Sequence, residues 1–116
     1  MFRFADELGP FKIIHIYEPS IDLKAVLVVD NIARGPALGG VRIAPDVSAE
    51  ECFRLARAMT LKNAAADLPY GGGKIVVYGD PKMPFEKKSQ LLRALAGALR
   101  YTEEYIFAPD MGTDEI

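Results

Sequence analysis

Residues 48–78 read SAEECFRLARAMTLKNAAADLPYGGGKIVVY, and the order of patterns inside them decides the fold class. Ser48 followed by Glu51 is a capping box, in which two side chains satisfy the first backbone N–H groups of a helix. From there Cys52, Leu55, Met59 and Lys62 recur at helical spacing along one face, with Ala56 and Ala66 beside them. Glu50, Arg54 and Arg57 fall elsewhere and are expected to face water. Pro69 ends the helical region. Gly71, Gly72 and Gly73 read as a loop, Lys74 joins that loop to the next element, and residues 75–78 (IVVY) read as a strand.

Working outward, a second helix is expected to begin near Pro84, a favoured first-turn residue. Leu91, Leu92, Leu95, Ala98 and Leu99 make its buried stripe, and it is expected to run to about Glu103. Tyr105–Ala108 then reads as a short strand. Upstream, residues 1–8 are expected to form a short helix stopped by Gly9-Pro10. Residues 11–17 (FKIIHIY) and 23–29 (LKAVLVV) read as two strands, antiparallel because the connection is so short. Residues 31–40 are loop-like, and residues 41–43 suit a short strand. Strands alternating with helices in the second half imply a parallel sheet with helical cover. The paired strands at the start make the whole an α/β fold with a mixed sheet and helices on both faces.

Residues 110–116 read as a turn leading to a capped helix, with Thr113 as N-cap and acidic residues in the first turn. Helices that short do not hold together alone in water. Residues 1–116 are therefore expected to be one domain, the first of something longer.

The bulk composition excludes several classes. The chain has 116 residues, half of them hydrophobic, and a formal net charge of −2, so no basic footprint points to nucleic acid. No apolar run approaches the ~18–20 residues needed to span a bilayer, and the N-terminus lacks the order of a signal peptide. Cys52 is alone and cannot form an internal disulfide, which fits a reducing cytoplasm. No membrane partner and no metal site are expected.

Three ionisable groups stand out. Lys62 falls on the apolar stripe of the first helix, Lys74 on the edge of a strand, and Asp110 after the apolar residues 105–108. Burying an ammonium costs several kcal/mol unless it is paired or used, and desolvation lowers a lysine pKa toward the range of a useful base. Each has a plainer explanation. A lysine near a helix C-terminus favours the macrodipole and snorkels to water. Asp110 can cap the turn that it opens, and the glycines can be a plain tight turn. His15 reads as a satisfied structural histidine, and Cys52 and Met59 as core. The glycine run is not a phosphate loop, because no Ser or Thr follows Lys74 and a strand rather than a helix comes next.

Taken together, GPALGGVR at 35–42, MTLKNAAAD at 59–67, PYGGGK at 69–74 and PDMGT at 109–113 strongly resemble the glutamate/leucine/phenylalanine/valine dehydrogenase family. The resemblance runs in one register from about residue 12 onward and covers the family's N-terminal, substrate-binding and dimerisation domain. It implies reversible oxidative deamination of an L-amino acid to a 2-oxo acid and ammonium with NAD or NADP. On that resemblance Lys62 pairs with the substrate α-carboxylate, as suits a compact point charge. Lys74 matches the catalytic lysine that deprotonates the attacking water, and Asp110 the aspartate that exchanges protons with the substrate nitrogen. Gly39 and Gly40 match glycines lining the substrate site, while Met59 and Ala108 fall where the family places pocket-lining residues.

Leu38 departs from the glutamate-specific pattern, which typically has a lysine just before the Gly-Gly pair. A leucine cannot neutralise a buried carboxylate, and desolvating one unpaired is costly. The expected substrate is therefore an apolar amino acid of the leucine, valine or phenylalanine type. A dinucleotide-binding Rossmann domain is absent from these residues, so no cofactor is expected on this chain alone and the isolated chain is expected to be inactive. A homo-oligomer through this domain is expected. Two alternatives stay open: a non-catalytic dimerisation or regulatory module with the same fold, its apolar first strands (Ile13, Ile14, Ile16; Val26, Val28) pairing across an interface, and a glutamate dehydrogenase fragment.

Overall fold

The computed structural model describes residues 2–108. Five strands and two helices follow one another as β1 (Lys12–Glu18), β2 (Leu23–Asn31), β3 (Ala37–Ala44), α1 (Ala49–Ala65), β4 (Gly71–Tyr78), α2 (Phe85–Leu99) and β5 (Tyr105–Ala108). They make a single sheet in the order β1-β2-β4-β3-β5. β1 and β2 pair antiparallel, as the short connection requires, and β2 pairs antiparallel with β4. β3 lies parallel to both β4 and β5. The mixed α/β sheet is therefore as expected.

The path of the chain explains why a helix covers each face. From β3 to β4 the chain steps one way across the sheet, through α1. From β4 to β5 it steps back past β3, through α2. Crossovers of one handedness taken in opposite directions place their helices on opposite faces. Strand alternation then sorts the residues. Leu27, Val29, Ile75 and Val77 face α2 and join Leu91, Leu95 and Leu99 in the larger core. Val26, Val28 and Val76 face α1 and join Cys52 and Ala56 in a smaller one.

Several local expectations are corrected. Residues 2–8 form turns and bends rather than a helix. Tertiary contacts capture them instead: Phe4 stacks on Phe53 of α1 with ring centroids 5.1 Å apart, and the Asp6 carboxylate accepts from Arg57. The glycine run is not a loop but the first three residues of β4, and β3 begins at Ala37 inside the segment read as a loop. α2 stops at Leu99, short of Glu103, and Ala98 on its expected stripe is exposed. Val26 and Val28 lie under α1, so they are not available to an interface.

A further correction concerns α1. Ser48 caps it as expected, its hydroxyl accepting from the Glu51 N–H at 3.1 Å. The buried positions, however, are Cys52, Ala56, Thr60 and Asn63. Leu55 and Met59 are half-buried, whereas Lys62 and Ala66 are exposed. Arg57, expected in water, is half-buried. The helix is rotated toward polar partners on the sheet, chiefly Asp30 and the carbonyls at the start of β3 and β4.

Candidate functional site

α1 runs antiparallel over β4, so its successive turns meet β4 in reverse order. Cys52 Sγ donates to the Lys74 carbonyl at 3.3 Å. Just over two turns further on, Thr60 rests on Gly72. A Cβ on Gly72 would stand 2.1 Å from the Thr60 backbone nitrogen, so only glycine lets the helix come this close. Gly39 is similarly constrained, since a Cβ there would fall 1.7 Å from the Gly73 carbonyl oxygen. Protein atoms, not an open ligand space, thus account for the missing side chains at Gly72 and Gly39.

Two polar devices hold α1 in this position. Asp30, with no exposed surface, sits on the last part of β2. It accepts from Arg57 Nε at 2.7 Å and from the Thr60 hydroxyl at 2.7 Å. Arg57 in turn donates to Asp6 at 2.7 and 2.8 Å, which holds the Asp6 carboxyl well below the usual carboxylate range. Near the end of α1, the Asn63 amide donates to the Gly71 carbonyl at 2.7 Å and to the Leu38 carbonyl at 3.4 Å. It ties the openings of β3 and β4 to the turn that carries Lys62. Asn63, Asp30 and Thr60 were not singled out by sequence reading. The only local signal was a set of polar residues at helical spacing beside the apolar ones.

Lys74 shares the α1 face of the sheet with Gly72 and Val76 and is only 6% exposed. Burial, then the charge of Arg42, then that of Lys62, lowers its pKa from 10.5 to about 8. The Cys52 thiol beside its carbonyl is pushed up to about 12 by burial and is inert at neutral pH. Arg42 is on the same face of the neighbouring strand. Its guanidinium lies 3.9 Å from the Glu51 carboxylate, and its Nε is buried without a hydrogen-bond partner among the described residues.

The expected site residues thus fall as follows. Lys62 and Lys74 are near enough for the charge of one to bear on the other, although Lys62 is on the exposed side of α1 rather than its apolar stripe. Leu38 is half-buried, and Gly39 and Gly40 are buried beside it in β3. The Gly40 carbonyl accepts from the Tyr105 hydroxyl at 2.9 Å, and the Gly40 backbone pairs with Ala108 of β5. Met59 is half-buried on α1. Asp110 lies outside the described residues. His15 is exposed on β1, where it lines a surface hollow with Phe2, Phe4 and Phe11, at the sheet edge away from the lysines.

Among the described residues no helix is long and apolar enough to cross a membrane. Comparison with known proteins gives a consistent picture. The chain is 36% identical over 121 residues to phenylalanine dehydrogenase of Thermoactinomyces intermedius, covering 98% of this chain and 32% of that protein. It is equally 36% identical to leucine dehydrogenase of Bacillus subtilis, covering 97% of this chain and 32% of the relative. The fold superimposes on hetero-hexameric glutamate dehydrogenase of Thermus thermophilus in its Leu-bound form. There the TM-score is 0.84 at 34% identity, over 90% of this chain and 28% of that one. The chain spans about a third of the length of the curated relatives it matches. Residues 18–116 match the model of the Glu/Leu/Phe/Val dehydrogenase dimerisation domain, and the chain belongs to that family of amino-acid dehydrogenases.

Proposed function

We propose that this chain is the amino-acid-binding part of an L-amino-acid dehydrogenase that interconverts an apolar amino acid and its 2-oxo acid. The observation that carries this reading is Lys74. A lysine ammonium buried on a sheet face destabilises the fold below its lowered pKa, a cost that chemistry explains and a purely assembling module does not.

In this reading Lys62, reaching from the exposed side of α1, pairs with the substrate α-carboxylate. Lys74, with its pKa near 8, accepts a proton at Nζ from the water that attacks the imine carbon. Asp110 gives a proton to the departing nitrogen, which leaves as ammonia, and recovers one in the reverse direction. Leu38, standing before Gly39 and Gly40, favours a hydrocarbon side chain. The phenylalanine and leucine dehydrogenases that this chain is similar to agree with that choice.

Oxidation of the amine to the imine needs NAD or NADP. The described residues do not fit a dinucleotide: neither the turn at residues 45–48 nor the one at 79–84 has the G-x-G-x-x-G pattern that lets a pyrophosphate approach a helix N-terminus. No hydride step is assigned to this chain. A homo-oligomer is part of the proposal, since the family description names a dimerisation domain. β1 is an edge strand of the sheet with Phe11, Ile13 and Tyr17 exposed. Light scattering that finds only monomers would remove that part.

Titration calorimetry with L-leucine and with its 2-oxo acid tests the site itself. Binding in the millimolar range is expected for the wild-type chain and at least tenfold weaker binding for Lys62→Ala (about 1.4 kcal/mol). Equal binding by the two proteins would overturn the assignment.

A further inference from the structure

Arg42 has no role in the site as described so far, yet its placement bears on Lys74. β3 and β4 are parallel, with Val41 opposite Ile75 and Arg42 opposite Val76. Arg42 and Lys74 therefore project from adjacent strands on the same face, two residues offset. Arg42 is half-buried, and the part of its guanidinium that leaves water is costly to bury and poorly compensated: Glu51 is 3.9 Å away, and the buried Nε has no hydrogen-bond partner among the described residues.

We propose that Arg42 is a positioning residue for the reaction, a fixed positive charge beside Lys74 that disfavours the ammonium and so favours the neutral amine needed to accept a proton from water. The inference rests on the proposed function only for its use; the electrostatic relation can be measured without turnover. Among the described residues, the other charged or titratable groups on the face of Lys74 come from α1 and β2. From α1 come Glu51, Cys52 and Lys62, and from the same face of β2 comes Asp30, which is already engaged by Arg57 and Thr60. The neighbours on β4 itself, Gly72 and Val76, are uncharged. Glu51 acts in the opposite sense to Arg42, because it offsets the guanidinium. Charge at Arg42 should thus lower the pKa of Lys74, and charge at Glu51 should raise it.

The test is a pH titration of the 116-residue chain labelled with 13C at the lysine Cε positions, read by NMR. Lys74→Met identifies the Lys74 signal, and the amide spectrum reports folding. Wild-type Lys74 is expected to titrate near pH 8. Arg42→Gln should move that midpoint upward by about one unit, while Arg42→Lys, which keeps the charge, should restore at least half of the shift. Glu51→Gln, on the surface side of the pair, should move it downward. An unchanged midpoint in folded Arg42→Gln overturns the inference. If Arg42→Gln does not fold, Glu51→Gln decides: a downward shift supports the relation, and no shift or an upward one overturns it. Failure of the functional reading looks different. In that case Lys74 responds to Arg42 as stated, but L-leucine and its 2-oxo acid leave the Lys62 and Lys74 signals unmoved.

Discussion

The two faces of the sheet are built from the same strands and hold together by different physics. Toward α2, the contacts are hydrocarbon: Leu27, Val29, Ile75 and Val77 against Leu91, Leu95 and Leu99. Toward α1, a smaller apolar cluster of Val26, Val28, Val76, Cys52 and Ala56 shares the face with polar groups. Asp30 needs Arg57 and Thr60, the openings of β3 and β4 need Asn63, and Lys74 and Arg42 put two cations on the same face. Burial of apolar area is non-directional, so the α2 face confers stability without dictating atomic positions. Hydrogen bonds have direction, so the α1 face specifies where Lys62 and Lys74 stand relative to each other, at a cost in stability. The comparison teaches that the proposed chemistry sits on the face held by directional polar contacts rather than by hydrocarbon alone.

The contrast can be broken most severely at Leu95, which is 1% exposed. Leu95→Ala should cost about 3–4 kcal/mol, measured by urea denaturation, and should leave the titration of Lys74 where it is. A shifted Lys74 midpoint would mean that the faces are not independent. Asp30→Ala comes next, at about 3 kcal/mol, the low end for a broken buried pair because Arg57 keeps Asp6 as a partner. This variant should also weaken amino-acid binding, since α1 loses its anchor. A loss of stability with affinity unchanged would mean that Asp30 does not orient the lysines.

Lys74→Met should act in the opposite direction and stabilise the chain. Because the folded state lowers the pKa from 10.5 to about 8, the unfolded chain binds more protons between those values. Wild-type stability should accordingly rise as the pH increases from about 8 to 10.5, and the penalty should be complete below 8. Lys74→Met should remove that pH dependence and add roughly 2–3 kcal/mol at pH 7. Denaturation midpoints that stay flat with pH in the wild type would show that the ammonium is not destabilised. The smallest effect is expected at Glu50, whose pairing with Arg54 at 3.9 Å is exposed to water. Glu50→Gln should change stability by less than about 0.5 kcal/mol, which provides a baseline for the other three.

Particular elements show what was legible in the residues. The α2 stripe Leu91, Leu95 and Leu99 appeared as expected because leucines at helical spacing have only one way to leave water. β5 was located to the residue, and β1 and β2 to within two, by apolar alternation between strong breaks. The stripe of α1 was misplaced. Hydropathy ranks Leu55 and Met59 above Thr60 and Asn63, yet Thr60 and Asn63 are the buried ones. Likewise Arg57 read as a solvent residue because its partner Asp30 lies 27 positions away. In the site, Lys74 was singled out correctly as a perturbed lysine, while Arg42, which bears on it, gave no sign in one dimension.

The residues by themselves determined the order and kind of the elements from β1 onward, the capped start of α1, and the presence of an ionisable group in a strand, because spacing and local hydrogen bonding act over a few positions. The tertiary structure alone decided which side of α1 faces the sheet, that the glycine run is a strand packed under a helix, and which charges surround Lys74. Those choices depend on polar groups brought together from distant segments, and a directional partner leaves no periodic trace in the chain that contributes it.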